Sequence, residues 1–297
     1  MRRVIAILFF VPFLGIAFVR FILSRFRKTP PESHPESLAY DGMSAELSGS
    51  VTPLFLDRQL VQSLLPDALA LVDNDEQPVW PGGDTVHPVL LVTGRVKTGK
   101  RLRIGSQYLT AHLFNPFLEA YVAVPFVRAR AFDDLSPCLY FAKIYCQTFW
   151  PTELGVLCVG WPKTQCPMEM SDTTPGHSYS VKNPEDGNPW LTLQTVVDEK
   201  DSRPPEPSPA NFQSVIDMLS QPMIVLKGTK LQINSFDFRF NAAEITPVSS
   251  SGVLHAGALI AGSEAIDFQV PAITDSPFGA FHILTTYMNR VVKTLKP

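Results

Sequence analysis

Residues 155–164 read GVLCVGWPKT, an apolar stretch that ends directly in a lysine. Its length and composition are typical of a short buried strand, and Pro162 marks the end of that strand. Lys163 is therefore expected to leave a buried element beside the large aromatic ring of Trp161. Burial disfavours a charged ammonium group, and a neutral lysine amine can attack a ketone carbonyl to form an imine. Taken alone, the same residues also fit a lysine in an ordinary surface turn.

Short strand-like segments surround this stretch along most of the chain. A helix is predicted over 58–65 (RQLVQSLL), ended by Pro66. The predicted strands are 51–57, 87–94, 108–114, 119–127, 139–146, 190–197 and the alternating segment 231–248. Many short strands with few helices predict an α+β, mostly β domain that forms a barrel or a sandwich.

Two further segments complete this interpretation. Residues 172–210 are rich in Pro, Asp, Glu, Ser and Gly and are expected to form an irregular surface excursion, with one strand at 190–197. Residues 278–295 (FGAFHILTTYMNRVVKTL) carry apolar residues at helical spacing and end in cations, which predicts a terminal helix.

The composition restricts the class of protein. Hydrophobic residues make up 45% of the 297 residues and charged residues 18%, which is enough for a substantial core. The formal net charge of −3 argues against a general nucleic-acid-binding protein. The four cysteines form no C-x-x-C pair and the six histidines show no ligand spacing, so no metal site is predicted.

The N-terminus carries an apolar run, VIAILFFVPFLGIAFV, at residues 4–19. Counted to Leu23, it reaches about the 20 residues that a helix needs to cross a bilayer. A cleaved signal peptide is the alternative, but bulky and basic residues follow the run where small residues would mark a cleavage site. We expect a single-pass membrane anchor at 1–28, a linker at 29–47 and a main domain at 48–297. The distribution of Arg and Lys around the run slightly favours a cytosolic main domain.

Gly94–Lys100 (GRVKTGK) fits the first part of a phosphate-binding loop, G-x-x-x-x-G-K. The next residue is Arg101 where that motif needs Ser or Thr, and no helix is predicted to follow. A basic hairpin turn is the preferred interpretation. Its cations are expected to be solvated, or to touch anionic headgroups if the turn faces a membrane.

Gly160-Trp161-Pro162-Lys163-Thr164 resembles the signature of the acetoacetate decarboxylase superfamily, in which a strand runs into aromatic-Pro-Lys-Lys. Lys163 falls on the position of the Schiff-base lysine. The segment 119–125 (EAYVAVP) resembles the family segment in which a glutamate of the active site precedes an apolar-Pro pair, and Glu119 takes its place. The order of the surrounding segments matches from about 48 to 293, apart from the excursion.

The resemblance implies a mostly β barrel or cone with a few short helices. It implies a carbon–carbon lyase that decarboxylates a β-keto acid or a related carbonyl compound through Lys163. Glu119 is expected to transfer protons or position the substrate. The imine itself serves as the electron sink, so no metal or organic cofactor is expected. A homo-oligomer is also implied. The aromatic residues expected to line an apolar substrate are Phe114, Phe117, Tyr121 and Trp161.

Two departures keep other functions open. The second lysine of the family signature is Thr164 here, and no residue matches the family arginine that helps to hold the substrate carboxylate. One alternative is aldolase or dehydratase chemistry through the same lysine on a larger keto acid. Another is a non-catalytic protein of the same fold that binds an apolar ligand, because fold alone does not determine function.

Overall fold

The computed structural model describes residues 43–295, with gaps at 74–76, 79, 105–106, 113–114, 133–134, 157–159, 174–175, 198–208, 228–229, 239, 241–242, 256–264, 274–275 and 277. The predicted anchor at 1–28 and the aromatic residue Phe114 lie outside the described residues. Within them, no helix combines the length and the apolar character needed to cross a bilayer.

Fifteen strands and three short helices make up the described chain. The strands are β1 (Met43–Asp57), β2 (Leu69–Leu71), β3 (Val86–Ile104), β4 (Gln107–His112), β5 (Phe117–Ala129), β6 (Cys138–Cys146), β7 (Lys163–Gln165), β8 (Met168–Thr173), β9 (Gly176–Lys182), β10 (Pro189–Val197), β11 (Met223–Lys227), β12 (Lys230–Phe238), β13 (Glu244–His255), β14 (Ala265–Val270) and β15 (Phe281–Leu295). The helices are α1 (Arg58–Ser63), α2 (Phe149–Leu154) and α3 (Pro209–Leu219), and a 3-10 turn spans Gly83–Thr85. The predicted mostly β fold with few helices is confirmed.

Seven strands curl into a ring. Their order is β1–β3–β5–β6–β11–β12–β15, and β15 pairs back with β1. Neighbours are antiparallel except for β6 and β11, which run in the same direction. Beyond β15 the sheet continues through β13, β10 and β9 to β8, so the sheet as a whole is not closed. The predicted barrel or cone is therefore corrected to a curled sheet with an open outer extension.

Apolar side chains cover both faces of the ring strands. The inner cluster includes Val92, Tyr121, Ile144, Phe281 and Ile283. The outer cluster lies between the ring and the outer extension and includes Leu54, Leu91, Val122, Tyr145 and Leu191. Each fully buried side chain of this size contributes roughly 1.5–3 kcal/mol. The first nine residues of β5 are all buried because both faces of this strand are covered, which fixes the position of the residues that it carries.

The predicted helix at 58–65 is confirmed in α1. The Asp57 carboxylate accepts hydrogen bonds from the backbone N–H groups of Gln59 and Leu60, at 2.9 Å each, and so caps the helix. A cap of this kind typically contributes about 1 kcal/mol.

The terminal helix predicted at 278–295 is wrong, because this segment forms β15. Residues at every second position are buried, from Phe281 through Ile283 and Thr285 to Tyr287. The strand pairs with β1 on one side and with β12 and β13 on the other. Its many β-branched residues suit this position. The helical spacing read from the sequence arose because apolar residues occupy both faces of one strand.

Three other expectations about elements need correction. β1 begins at Met43, inside the segment predicted as linker. The excursion predicted at 172–210 contains β9 and β10, whose alternate residues Tyr179, Val181, Leu191 and Leu193 are buried. The polar residues 183–188 form the turn between these two strands, and 198–208 lie outside the described residues. The basic turn predicted at 94–100 is part of β3, because β1 on one side and β5 or β4 on the other bond its backbone.

One buried histidine, His87, and one half-buried histidine, His282, link the stability of this fold to pH. The pKa of His87, whose Nε2 lies 2.9 Å from the Pro125 carbonyl oxygen, is lowered to about 4, mainly by burial and further by the charge of Arg58. The pKa of His282 is also lowered to about 4, by burial and by His177, whose ring centroid lies 5.1 Å away. Both histidines are therefore neutral in the folded protein near pH 5, while the unfolded chain binds protons there.

We expect the free energy of unfolding to be highest above pH 6.5 and to fall as the pH drops towards 4, by up to about 3 kcal/mol for each histidine. Urea unfolding between pH 7.5 and 4.5 measures this dependence. The variant His87→Gln should show a shallower slope than the unmodified chain. Equal slopes for the two proteins would contradict the assignment.

Candidate active site

The predicted lysine and glutamate meet inside the ring. Glu119 is the third residue of β5 and lies opposite Cys146 of β6. Lys163 is the first residue of β7 and lies opposite Ile144 of β6, in parallel register. The Lys163 ammonium donates to Oε1 of Glu119, and the two side chains are only 4% and 3% exposed. Two residues that are 44 positions apart in sequence thus form a buried ion pair.

Tyr121 holds the other side of the carboxylate. Its hydroxyl donates to Oε2 of Glu119, and it lies two residues along β5, on the same face of the strand. Its pKa is raised well above the usual value by burial and, secondarily, by the charge of Glu119. Tyr121 therefore stays protonated and keeps donating. It was predicted to line the substrate site, and the structure places it as a partner of Glu119.

A second tyrosine extends this hydrogen-bonded group. The Tyr287 hydroxyl lies 3.5 Å from the Tyr121 hydroxyl, and burial, followed by the charge of Glu119, raises its pKa. The sequence interpretation missed Tyr287 because its segment was predicted to be a helix. The alternation of apolar and β-branched residues around it was the available signal.

Trp161 lies beside the lysine, as predicted. The Lys163 Nζ is 4.8 Å from the centroid of the Trp161 ring, within the range of a cation–π contact. Trp161 is buried. Phe117 is also buried in the inner cluster, two residues before Glu119 and therefore on the same face of β5.

A pocket of about 130 Å³ lies beside Trp161. Trp161 and Phe141 line it together with Gly160, Pro162 and Met223. Phe141 stacks on Tyr121 with a centroid separation of 5.3 Å. The pocket therefore reaches Trp161, which lies beside Lys163, and Phe141, which stacks on Tyr121, although neither Lys163 nor Glu119 lines it.

Cys146 faces Glu119 across the β5–β6 pair. The pKa of its thiol is raised, mainly by burial and then by the charge of Glu119, while Lys163 acts in the opposite direction. A thiol of this kind stays protonated and is a poor nucleophile. Among the described residues, no group of three or more His, Cys, Asp or Glu side chains could hold a metal ion.

The outer extension fixes the backbone at Glu119. The Tyr179 hydroxyl of β9 donates to the Glu119 carbonyl oxygen over 3.0 Å. On the neighbouring strands, Gly49 lies opposite Gly94, which in turn lies opposite Glu119. A Cβ on Gly49 would lie 2.1 Å from the Thr93 carbonyl oxygen, so this close approach requires glycine.

The described part of the apolar stretch before Lys163 is not the strand that was predicted. Gly155 and Val156 continue α2 in a π-helical conformation, 157–159 lie outside the described residues, and the strand begins only at Lys163. Periodicity alone cannot distinguish a short apolar strand from a helical segment. The consequence is that Gly155 packs directly against the lysine.

We expect Gly155→Ala to displace the lysine. A Cβ at this position would lie 2.6 Å from Cδ and 2.8 Å from Cε of Lys163, so the side chain must move while its ammonium is held by Glu119. Where a lysine is the reacting group, a shift of this size costs on the order of 100-fold in kcat/KM. The control is Val156→Ala, since Val156 is the exposed neighbour. Equal activity of the two variants would contradict the packing argument.

Thr164 occupies the position of the second lysine in the family signature. It lies opposite Tyr145 of the outer cluster, whereas Lys163 lies opposite Ile144 of the inner cluster. Successive residues of a strand point to opposite faces. A lysine at 164 would therefore point away from the Lys163 amine, and threonine there removes no cation from the inner face.

Similar folds exist among solved structures. The acetoacetate decarboxylase-like enzyme from Sphingomonas wittichii RW1 is 15% identical and aligns over 91% of this chain and 100% of its own, with a TM-score of 0.50. The acetoacetate decarboxylase from Legionella pneumophila is 12% identical over 91% and 94%, with a TM-score of 0.49. The enduracididine biosynthesis enzyme MppR, complexed with pyruvate, is 10% identical over 90% and 91%, with a TM-score of 0.48.

No protein-family profile matches the sequence. No curated protein sequence matches it either. The resemblance predicted from residues 160–164 and 119–125 is nevertheless confirmed at the level of the fold, since the chain has a fold similar to that of the acetoacetate decarboxylase-like enzyme from Sphingomonas wittichii RW1.

Proposed function

We propose that this protein is a Schiff-base-forming lyase that decarboxylates a β-keto acid or a related carbonyl compound through Lys163. The observation that carries the proposal is the buried Lys163–Glu119 pair, held by Tyr121 on the inner face of an acetoacetate decarboxylase-like fold. A buried ion pair is costly to desolvate and is weak evidence of stability. Its occurrence beside a pocket therefore favours a chemical role.

The pair supplies the first proton transfer of the reaction. The Glu119 carboxylate accepts a proton from the Lys163 ammonium through their hydrogen bond, which leaves a neutral amine. That amine attacks the ketone carbon, water leaves, and a protonated imine forms. The imine nitrogen stays covalently bound to the protein through the lysine side chain.

Carbon dioxide then leaves with cleavage of the bond between the carboxylate and the α-carbon. The electron pair of this bond moves into the imine and produces a neutral enamine. Protonation of the enamine carbon and hydrolysis of the resulting imine release the ketone and restore the lysine. Glu119 is close enough to return the proton, and the Tyr121 hydroxyl, which donates to Oε2, stabilises the carboxylate that this transfer restores.

The apolar wall around the pair favours a keto acid with an apolar substituent. Phe117, Phe141 and Trp161 are buried aromatic residues of the inner cluster. Thr164 points away from this site, so the missing second lysine does not favour a non-catalytic protein.

We further propose that residues 1–28 form a single-pass anchor that holds the domain at a membrane on its cytosolic side. The apolar run at 4–19 supports this proposal. Carbonate extraction of membranes that contain the full chain tests the anchor. If the anchor spans the bilayer, the protein is retained in the membrane pellet. Release into the supernatant would contradict it.

The activity is tested by incubating the full chain with a panel of β-keto acids of increasing chain length and measuring release of carbon dioxide. The proposal predicts release above the spontaneous rate, with a preference for apolar substituents. Aldol or dehydration products without carbon dioxide would assign the lysine to the second class of Schiff-base chemistry. Ligand binding without any turnover would assign the fold to a binding protein.

A further inference from the structure

Tyr179 is a buried tyrosine outside the ring whose hydroxyl reaches the backbone of Glu119. It lies on β9, opposite Leu193 of β10 and Met170 of β8, and it is only 3% exposed. Its hydroxyl donates to the Glu119 carbonyl oxygen over 3.0 Å. The outer extension therefore contacts β5 at the residue that carries the carboxylate of the site.

The Tyr179 hydroxyl is hydrogen-bonded to two ring strands. Burial, followed by the charge of Glu119, raises the pKa of Tyr179 well above its usual value, and a hydrogen bond with the Gly94 backbone acts in the opposite direction. Gly94 of β3 lies opposite Glu119 of β5. Tyr179 therefore stays protonated and links the two members of this strand pair.

The surroundings leave the Tyr179 side chain little freedom to move. The cavity beside it, which Gly49 and Thr93 also line, has a volume of about 10 Å³, enough for at most about one water molecule. A Cβ on Gly94 would lie 2.5 Å from the Ser48 carbonyl oxygen, so the ring strands approach each other closely at this place. A close fit of this kind gives the hydroxyl a fixed position.

Gln147 links the outer extension to the preceding residue of β5. Its Oε1 accepts from the Leu118 N–H over 3.2 Å, and its Nε2 donates to the Met168 carbonyl oxygen of β8 over 3.3 Å. Two consecutive residues of β5, Leu118 and Glu119, are thus connected to the outer extension by side-chain hydrogen bonds. Burial of apolar surface alone does not require these polar contacts.

A second buried tyrosine shows that such a contact is not automatic in this layer. Tyr145 belongs to the same outer cluster and is fully buried. In the part of the chain that the structure describes, its hydroxyl has no hydrogen-bond partner. Packing of the ring accounts for Tyr145, whereas the Tyr179 hydroxyl has a defined acceptor in the site.

The link bears on the contact between Glu119 and Lys163. Tyr121 lies on β5 with Glu119 and moves with it, whereas Lys163 lies on β7, and β6 separates the two strands. A displacement of β5 therefore changes the distance from the carboxylate to the ammonium and leaves the Tyr121 contact intact. A misplacement of about 1 Å at reacting groups can cost about 100-fold in rate.

We propose that Tyr179 is a positioning residue, which holds Glu119 where its carboxylate accepts the proton of Lys163. The outer extension then supports the reaction and does not only cover the ring. This inference rests on the proposed function of the Lys163–Glu119 pair.

The kinetic test compares Tyr179→Phe, which removes only the hydroxyl, with the matched control Tyr145→Phe. In the full chain with an accepted keto acid, we expect Tyr179→Phe to lower kcat by about 10- to 100-fold and to keep KM within about two-fold, because the reacting pair is misplaced while the binding contacts remain. Tyr145→Phe should leave both constants unchanged. An unchanged kcat in folded Tyr179→Phe, or equal losses in both variants, would overturn the proposal.

A comparison of single and double variants in urea unfolding tests the same link without turnover. Tyr179 and Lys163 both bond to Glu119, so the effects of Tyr179→Phe and Lys163→Met on unfolding should be coupled. We expect the unfolding equilibrium constant of this double variant to differ at least about three-fold from the product of the two single effects. The effects of Tyr145→Phe and Lys163→Met should combine without such a difference.

Independent effects of Tyr179→Phe and Lys163→Met would overturn the inference, even for a protein that turns over no keto acid. Coupling without release of carbon dioxide would leave the positioning of Glu119 by Tyr179 intact and refute the proposed function. Turnover with independent effects would do the opposite.

Discussion

Replacing Lys163 by methionine will reduce turnover of an accepted keto acid by at least about 10³-fold, to near the uncatalysed rate. Methionine fills a similar volume but offers no amine, so no imine can form and the electrons released with carbon dioxide have no acceptor. Steady-state measurement of carbon dioxide release compares the variant with the unmodified chain.

Lys143 provides a matched control for this substitution. It is a half-buried lysine on the neighbouring strand β6, and burial lowers its pKa, with Cys166 acting in the opposite direction. It directly precedes Ile144 and therefore points to the other face of the strand. Lys143→Met should retain activity. Turnover that survives Lys163→Met, or that is lost only in Lys143→Met, would show that the reaction uses another residue.

Replacing Glu119 by glutamine will destabilise the protein by about 3–5 kcal/mol. The substitution leaves the Lys163 ammonium buried without a counter-charge. Removing one partner of a buried ion pair destabilises a protein more than removing both partners. Urea unfolding at pH 7.5 gives the free energy. The double variant Glu119→Gln/Lys163→Met should cost less than the sum of the two single variants, since it removes both charges together.

The exposed ion pair of Glu169 and Lys182 provides the control for this comparison of single and double variants. Their side chains are 70% and 37% exposed, and exposed pairs typically contribute less than about 1 kcal/mol. Glu169→Gln should therefore have little effect on unfolding. Additive costs for Glu119 and Lys163 would contradict the view that the two side chains are energetically coupled in the folded state.

The sequence was most informative where local pattern and residue order agreed. The two motifs around Lys163 and Glu119 lie 44 positions apart, and β6 between them brings both to one face through the registers Glu119–Cys146 and Ile144–Lys163. The structure thus joins the two residues that the resemblance selected. Their catalytic roles stay predictions.

The predictions of secondary structure that the structure overturned share one physical cause. β15 and the segment before Lys163 contain apolar residues on more than one face, so periodicity cannot distinguish a strand from a helix there. Pairing with β1, β12 and β13 decides the conformation of β15, and these partners are more than 25 residues away in sequence. Tyr287 could not be placed beside Tyr121 without that pairing. The packing of Gly155 against Lys163 could not be predicted from the sequence either, because it depends on the path of the Lys163 side chain.

The most direct test of the account is reductive trapping of the imine. The full chain is incubated with the β-keto acid panel and borohydride, digested, and examined by mass spectrometry. The account predicts a reduced adduct on the peptide that contains Lys163, with none on the peptide that contains Lys143 and none in the Lys163→Met variant. A folded protein that forms no adduct with any compound, or forms it on another lysine, would contradict the assignment of Lys163 as the Schiff-base residue.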